Sequence, residues 1–341
     1  MVIFYLLILY NYFFNIIIYI IFNLNLNYFY IDIISCYLKS SNDSVVSSTP
    51  RMLINSKSIE IVRPKFVQND SDFDFSFLKI ENNKRNMLYS PLSIKYTLKM
   101  LQEGAAGNTY DEINMVLGNS TPTKYTNISK NLSLANGIFI NDKFYNEVRT
   151  EYINTMKEMY DAEIKKDKFK DAKNANQWIE DKTFGIIKNM LSDDIVQFSV
   201  MLLINALSID LEWVNKFDKK HTLRELFYMN DGQKIKATMM YKKEENDDLS
   251  YYSSNNITAI TMDLKENNGI QLEFMAIMPN EPLSTYIENV TKTQINEIDL
   301  QLRSAEFEED GVTLKIPKFK FSYDLIELGV KDVFDSGSSG I

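Results

Sequence analysis

The hydrophobic positions of residues 89–118, "YSPLSIKYTLKMLQEGAAGNTYDEINMVLG", are spaced three to four residues apart and predict two consecutive helices. In the first of these, Ile94, Leu98 and Leu101 share one face, which would pack against a core. Gly104 comes after that face, so we expect it to end the helix in a left-handed cap.

Both predicted helices carry capping residues. Ser90 is placed to cap the first helix, and Pro91 stands at its first position, where a missing N–H costs nothing. Thr109 and Glu112 have the spacing of a capping box, which predicts that the second helix starts at Thr109. Gly118 is expected to close that helix.

Two further stretches, 151–164 and 174–191, have the apolar spacing of amphipathic helices. Residues 72–80, "DFDFSFLKI", fit two structures. Their phenylalanines alternate as in a strand, yet two of them also share a helical face with Ile80.

Strand patterns follow in the second half of the chain. Residues 199–209, "SVMLLINALSI", form a continuous apolar run, as a strand covered on both faces does. Residues 271–279 and 311–321 are further strand candidates, the latter with a bend or a sheet edge at Pro317. Helices cluster early and strands late, which predicts an α+β fold.

The N-terminus is a separate feature. Residues 1–31 contain no charged side chain, and Met1–Phe22 is long enough for a membrane-spanning or signal-anchor helix, which needs about 20 residues. Two interpretations stay open: residues 1–38 are a signal or membrane anchor, or they are a mis-annotated extension. In both, they lie outside the fold, residues 39–60 form a linker rich in Ser and Asn, and residues 61–341 form the folded domain.

The composition disfavours certain classes of partner and site. The 341 residues include 46 acidic and 37 basic side chains, for a net charge of -9. Since no basic stripe is interleaved with aromatic residues, we expect no nucleic-acid partner. Cys36 is the only cysteine, which excludes an intrachain disulfide framework and a cysteine-based metal cluster.

Catalytic motifs are not recognised in the sequence. His221, the only histidine, has charged neighbours, which favours a solvated loop or strand end over a Ser-His-Asp or Cys-His system. In "GAAGNT", Asn108 stands where a Walker motif needs lysine. The acidic run at 242–248 favours a hydrated loop over a cation site. The sequence therefore predicts no enzyme, no metal and no cofactor.

Seven segments, in order along the chain, together resemble the serpins, a large family of protease inhibitors. The resemblance implies one domain with many helices and several sheets. The segments include the opening helix pair, an Ala-Asn-x-Ile-Phe strand and a Pro-Lys-Phe block, and they span residues 86–118, 132–140, 160–169, 176–191, 203–218, 274–281 and 312–341.

The resemblance also implies roles for particular residues. Ser90, Pro91, Ser93 and Asn205 match the "shutter", the family's polar cluster beneath the centre of its main sheet. Trp213 matches the "breach", an aromatic position near the top of that sheet. In the family mechanism the sheet opens and accepts the cleaved reactive loop as an extra strand, which drags the acylated protease along.

The sequence departs from the family pattern at several points. The segment 206–212, "ALSIDLE", replaces an aromatic pair followed by Lys and a small residue, and "SYDLIE", residues 322–327, is shorter than its counterpart. The sequence stops at Ile341, before the hinge, the reactive loop and the last strands of the family. We therefore expect a domain that is incomplete at its C-terminus, with the reactive centre outside it, and no SDS-stable complex with a protease.

Three functional interpretations follow. The first is an inhibitor of serine or cysteine endopeptidases, monomeric, and secreted or tethered to a membrane through Met1–Phe22. The second is a non-inhibitory serpin that acts as a binding or chaperone module, and the third is a truncated remnant without function. Asn-x-Ser/Thr sequons compatible with a secreted glycoprotein occur at Asn42, Asn69, Asn119, Asn127, Asn131, Asn256 and Asn289.

Overall fold

The structure of the protein is a computed structural model. It describes residues 2–9, 16–22, 34–39, 73–80, 90–118, 131–228, 234–244, 249–266, 272–304 and 312–318. The helices in chain order are α1 (Phe73–Ile80), α2 (Pro91–Gln102), α3 (Gly107–Leu117), α4 (Thr150–Tyr160), α5 (Lys173–Lys182), α6 (Asp193–Gln197), α7 (Leu283–Asn289) and α8 (Lys292–Ser304). The strands are β1 (Val2–Leu9), β2 (Ile16–Phe22), β3 (Ile34–Lys39), β4 (Leu132–Asn141), β5 (Ala162–Asp167), β6 (Ser199–Ile209), β7 (Thr222–Tyr228), β8 (Lys234–Glu244), β9 (Ser250–Ser253), β10 (Ile257–Asp263), β11 (Leu272–Pro279) and β12 (Val312–Pro317).

These strands form three sheets. The main sheet has the order β3-β6-β4-β5, in which β4 and β5 are parallel and the other neighbours are antiparallel. A second, antiparallel sheet has the order β1-β2-β11-β10-β9, and a third has the order β12-β8-β7. Helices and several sheets in one mixed arrangement confirm the predicted α+β class.

The main sheet is covered on both faces. Strand alternation places Ile138 of β4 and Leu203 of β6 on the face that packs against α2. The opposite face of the same strands packs against α5 through Trp178 and Ile179. Burial on both faces explains why β6 is a continuous apolar run, and the strand predicted at 199–209 has the bounds expected.

Helix α2 begins as predicted, but two of the predicted caps are wrong. Ser90 is the N-cap and Pro91 the first helical residue. Gly104 is not left-handed, since α2 ends in the right-handed Glu103, and the chain instead reverses at Gly107 with φ of 59°. That early turn starts α3 at Gly107, so Thr109 lies inside the helix.

Thr109 is therefore not the N-cap of α3, which the capping-box prediction required. The N-cap of α3 is Ala106, which makes no side-chain cap hydrogen bond, and the Thr109 side chain is buried. Gly118 closes α3 with φ of 62°, as expected. A buried position inside the helix overrides the local capping signal, because packing contributes more than one exposed cap.

Both amphipathic helices were predicted too long. Helix α4 ends at Tyr160 because Asp161 is left-handed, with φ of 52°, and the next residues pair with β4 as strand β5. Helix α5 ends at Lys182, before the left-handed Gly185, with φ of 77°. The ambiguous residues 72–80 form helix α1 from Phe73.

The N-terminal residues form strands in the structure. Strand β1 pairs with β2, β2 pairs with β11 in the second sheet, and β3 pairs with β6 in the main sheet. These residues were expected to lie outside the fold, and one interpretation made Met1–Phe22 a helix. Among the described residues, no helix is both long and apolar enough to cross a bilayer. Apart from Lys39, the predicted linker 39–60 lies outside the described residues, and so do residues 319–341.

Candidate functional site

The centre of the main sheet carries a buried pair of amides. Asn205 lies in β6 directly opposite Asn136 of β4, and its Nδ2 donates to Asn136 Oδ1 at 2.7 Å. Asn136 Nδ2 in turn donates to the carbonyl of Tyr160, at the end of α4, also at 2.7 Å. The pair thus joins two strands to a helix through a chain of buried hydrogen bonds.

The start of α2 supplies the second part of this site. Ser90 Oγ accepts from the backbone N–H of Ser93 at 3.1 Å, and the Ser90 carbonyl accepts from Ile94. Ser93 is fully buried, and its carbonyl accepts from Thr97 Oγ1 at 3.0 Å. Alternation along β6 places Asn205 on the same face as Leu203, which packs against α2.

Two acceptors in this interface lack a hydrogen-bond partner. Among the described residues, neither Asn205 Oδ1 nor Ser93 Oγ is paired, although both atoms are buried. A buried polar group without a partner costs about 1–3 kcal/mol. The interface between α2 and β6 therefore retains unused hydrogen-bonding capacity at the middle of the sheet.

Trp213 lies apart from this cluster, beyond the end of β6. It forms an isolated antiparallel bridge with Leu264, just past β10, and its ring packs edge-on against Phe274 at 5.2 Å and Phe217 at 5.8 Å. Nearby, the carboxylate of Glu212 pairs with two lysines, which lowers its pKa to about 2. Trp213 thus connects the end of the main sheet to the second sheet.

The predicted site residues fall on two elements that pack together and on one separate position. Ser90, Pro91 and Ser93 lie at the start of α2, which packs against β6, the strand that carries Asn205, whereas Trp213 is separate. Sequence reasoning missed Asn136, although the Ala-Asn-x-Ile-Phe segment contained it. The signal was a polar residue inside an apolar strand pattern, which indicates a buried group with a partner.

A second polar cluster, with two buried carboxylates and one exposed arginine, joins α8 to the second sheet. Arg303 donates from Nη2 to Glu273 Oε2 and from Nε to Asp299 Oδ2, both at 3.0 Å. Burial raises the pKa of Glu273 to about 7, and the nearby Asp263 and Asp299 add to the shift while Arg303 opposes it. The cluster therefore holds more carboxylates than cations.

Other candidate chemistry is sparse in the part of the chain that the structure describes. His221 is exposed, with its Nδ1 3.9 Å from Asp218 Oδ2, a distance too long for a hydrogen bond. No group of three or more His, Cys, Asp or Glu side chains in those residues has the arrangement of a metal site.

Three sheets with covering helices, and a main sheet with a polar centre above a capped helix, define a mixed α+β domain. The chain belongs to the serpin family: the family's sequence model, described as serpin (serine protease inhibitor), matches residues 68–340.

Individual relatives agree with this assignment. A serpin-like protein of Methanosarcina acetivorans is 27% identical over 318 residues, which cover 84% of this chain and 72% of that protein. Human serpin I2 is 27% identical over 75% of this chain and 68% of its own length. The structure of the thermophilic serpin tengpin in the latent state matches with a TM-score of 0.60 and 27% identity, over 76% of this chain and 73% of tengpin. The chain thus spans about two thirds to three quarters of these relatives.

Proposed function

We propose that the protein inhibits serine endopeptidases, or cysteine endopeptidases, by accepting a cleaved loop as a new strand beside β6. It acts as a substrate that traps the protease and not as a catalyst. Family membership supports the chemistry, since the family is described as serine protease inhibitors. The single observation that carries the proposal is the pair of unpartnered buried acceptors, Asn205 Oδ1 and Ser93 Oγ, at the middle of the main sheet.

The two edges of β6 are unequal, which favours one side for strand addition. Toward β4, nine residue pairs are in continuous register from Leu132 to Ile140. Toward β3, only five pairs are aligned, and the register shifts between Tyr37 and Lys39. A strand added on the β3 side would replace the shorter and less regular pairing while the β4 side stays intact.

The unpartnered acceptors give such an exchange a driving force. A strand that brings an N–H or O–H donor next to Asn205 would pair an acceptor that is now buried alone. Backbone hydrogen bonds along the new strand would add to this gain, as in other cases of strand addition. The sheet before insertion is therefore the less stable state, and strain release on insertion could move a bound protease.

Trapping of a protease tests the proposal directly. Because the chain spans only part of its relatives, the experiment uses the complete gene product with trypsin-, chymotrypsin-, elastase- and subtilisin-like proteases and one papain-like protease. We expect a 1:1 adduct that survives SDS with at least one of them. The control is the same protease with its nucleophile blocked beforehand, which should give no adduct.

Two other results would contradict inhibition. Cleavage of the protein without an adduct would indicate a non-inhibitory binding module. Failure to unfold cooperatively in urea would indicate a remnant that lacks strands essential to the sheet.

We also propose that the charge-free N-terminus directs export, and that the exported protein is a monomer. The support is the length and apolarity of Met1–Phe22. N-terminal sequencing of the protein from its native cells tests the first point, since a mature chain that starts near residue 40 is expected. Such processing removes β1, β2 and β3, so in the mature protein the added strand would occupy the edge of β6 that β3 covers in the full chain. Light scattering tests the second.

A further inference from the structure

Two distant sequons meet at one cavity. A cavity of about 700 Å³ lies between the β9–β10 turn and helices α7 and α8. Asn256 lines it from the turn, and Asn289 lines it from the end of α7. Each of them is the asparagine of an Asn-x-Thr sequon.

The cavity wall has the chemistry of a sugar site. Side-chain amides and carboxylates dominate it, among them Asn280, Gln301 and Glu297, and Tyr252 adds an aromatic side chain. No lysine, arginine or histidine is present among the described residues that line it. Such a wall can donate hydrogen bonds to, and accept them from, the hydroxyl and acetamido groups of a sugar. Its described residues include no positively charged side chain that would bind an anionic ligand.

The turn that carries Asn256 is held without help from its side chain. Ser254 N–H donates to the Ile257 carbonyl at 2.9 Å, and Ser254 Oγ accepts from the N–H groups of Asn256 and Ile257, both at 3.2 Å. Asn256 is exposed, and its side-chain amide makes no hydrogen bond within the described residues. A group attached to its Nδ2 would therefore break no contact described there.

The other two sequons in the described residues differ. Asn131 Nδ2 donates to the Asp210 carbonyl at 2.7 Å, where β4 and β6 begin their pairing. Asn289 Nδ2 donates to the Thr285 carbonyl at 2.8 Å in the last turn of α7. A substituent on either nitrogen competes with a hydrogen bond of the fold.

We infer that Asn256 carries an N-linked oligosaccharide whose first sugars lie in this cavity, an inference that rests on the proposed export. In the reaction, Asn256 Nδ2 bonds to the anomeric carbon of an oligosaccharide carried on a polyprenyl diphosphate. The bond from that carbon to the diphosphate oxygen breaks, the polyprenyl diphosphate leaves with the electron pair, and the amide gives up one proton. Nothing is oxidised or reduced.

Site occupancy is measured on the full chain, secreted from insect cells behind a foreign leader so that the native N-terminus is not needed. Peptide mass spectrometry should find a glycan at residue 256 in most molecules. Thr258→Ser should keep that glycan, whereas Thr258→Val and Asn256→Gln should abolish it. An unmodified Asn256 in molecules glycosylated at other sequons would overturn the inference.

The rate of enzymatic glycan release tests whether the sugars lie in the cavity. Peptide N-glycosidase should release the Asn256 glycan at least severalfold more slowly from the native protein than from the denatured one. The variant Glu297→Ala with Gln301→Ala should remove most of that protection, while Asn289→Gln should leave it. Equal release rates from native and denatured protein would overturn the placement. A parallel preparation with the native N-terminus tests export alone, so that failure of export and failure at Asn256 give different results.

Discussion

The side chains of Asn205 and Asn136 form a hydrogen bond of 2.7 Å across the exact register position at which β6 and β4 pair. Both residues are buried, and Asn136 Nδ2 also donates a hydrogen bond to the Tyr160 carbonyl. Two polar residues in the middle of a covered sheet are costly unless they satisfy each other. Their pairing therefore fixes the register of the two longest-paired strands of the main sheet.

Asn136→Ala is expected to lower the free energy of unfolding by about 3 kcal/mol, because it leaves Asn205 Nδ2 and the Tyr160 carbonyl unpaired in the interior. Equilibrium unfolding in urea measures the loss. Asn141→Ala, at the end of the same strand, is the matched control: Asn141 Oδ1 accepts only the local Lys143 N–H, so a loss of about 1 kcal/mol is expected. Equal losses in both variants would contradict the structural role of the amide pair.

Ser90 and Ser93 should respond in opposite ways to the same substitution. Ser90→Ala removes the N-cap of α2 and should cost about 1 kcal/mol. Ser93→Ala removes a buried oxygen that has no partner, so the unfolding free energy should stay within about 0.5 kcal/mol or rise. Thermal and urea unfolding of both variants provide the comparison. A Ser93→Ala variant as destabilised as Ser90→Ala would show that the Ser93 hydroxyl is paired.

Local signals and long-range pairing differ in how far the sequence predicts them. The Ser90 cap depends only on neighbouring residues, so the local sequence pattern was sufficient to predict it. Thr109 was misjudged because its burial depends on what α3 packs against, which local spacing does not contain. The partner of Asn205 depends on the β4–β6 register, which joins residues far apart in the chain.

The same contrast explains the two overlong helices. The apolar spacing of residues 151–164 continues past Tyr160, yet residues from Ala162 gain backbone hydrogen bonds from β4 when they form β5. The α+β class needed only the recognition of helix and strand patterns, although the expected order was wrong, since α7 and α8 follow most of the strands. The ends of α4 and α5 needed tertiary partners. The polar centre of the sheet was partly predictable, since the resemblance supplied Asn205 but not its partner.

Gly137→Ala should disturb the contact between β4 and α5. A Cβ at Gly137 would lie 2.8 Å from the Trp178 ring, closer than side chains tolerate, so the indole would have to move. We expect a loss of about 1–3 kcal/mol in unfolding free energy, the usual range for overpacking. Urea unfolding followed by tryptophan fluorescence measures it. Trp178→Leu removes the ring that the new Cβ would meet, so the double variant should lose less stability than the two single variants summed. Losses that simply add would contradict a clash between these two positions.

Glu273 should make stability depend on pH in a definite direction. Its pKa is raised to about 7 in the folded protein, chiefly by burial, above the ordinary value of 4.5. The folded state therefore binds the proton more tightly than the unfolded state, and its contribution to stability falls as pH rises from about 4.5 to about 7. The expected decline is on the order of 3 kcal/mol. Glu273→Gln keeps an acceptor for Arg303 but removes the titration, so the difference in unfolding free energy between this variant and the wild type isolates the effect. A difference that stays constant from pH 4.5 to 8 would contradict a raised pKa at this position, because only a group protonated differently in the two states can produce the slope.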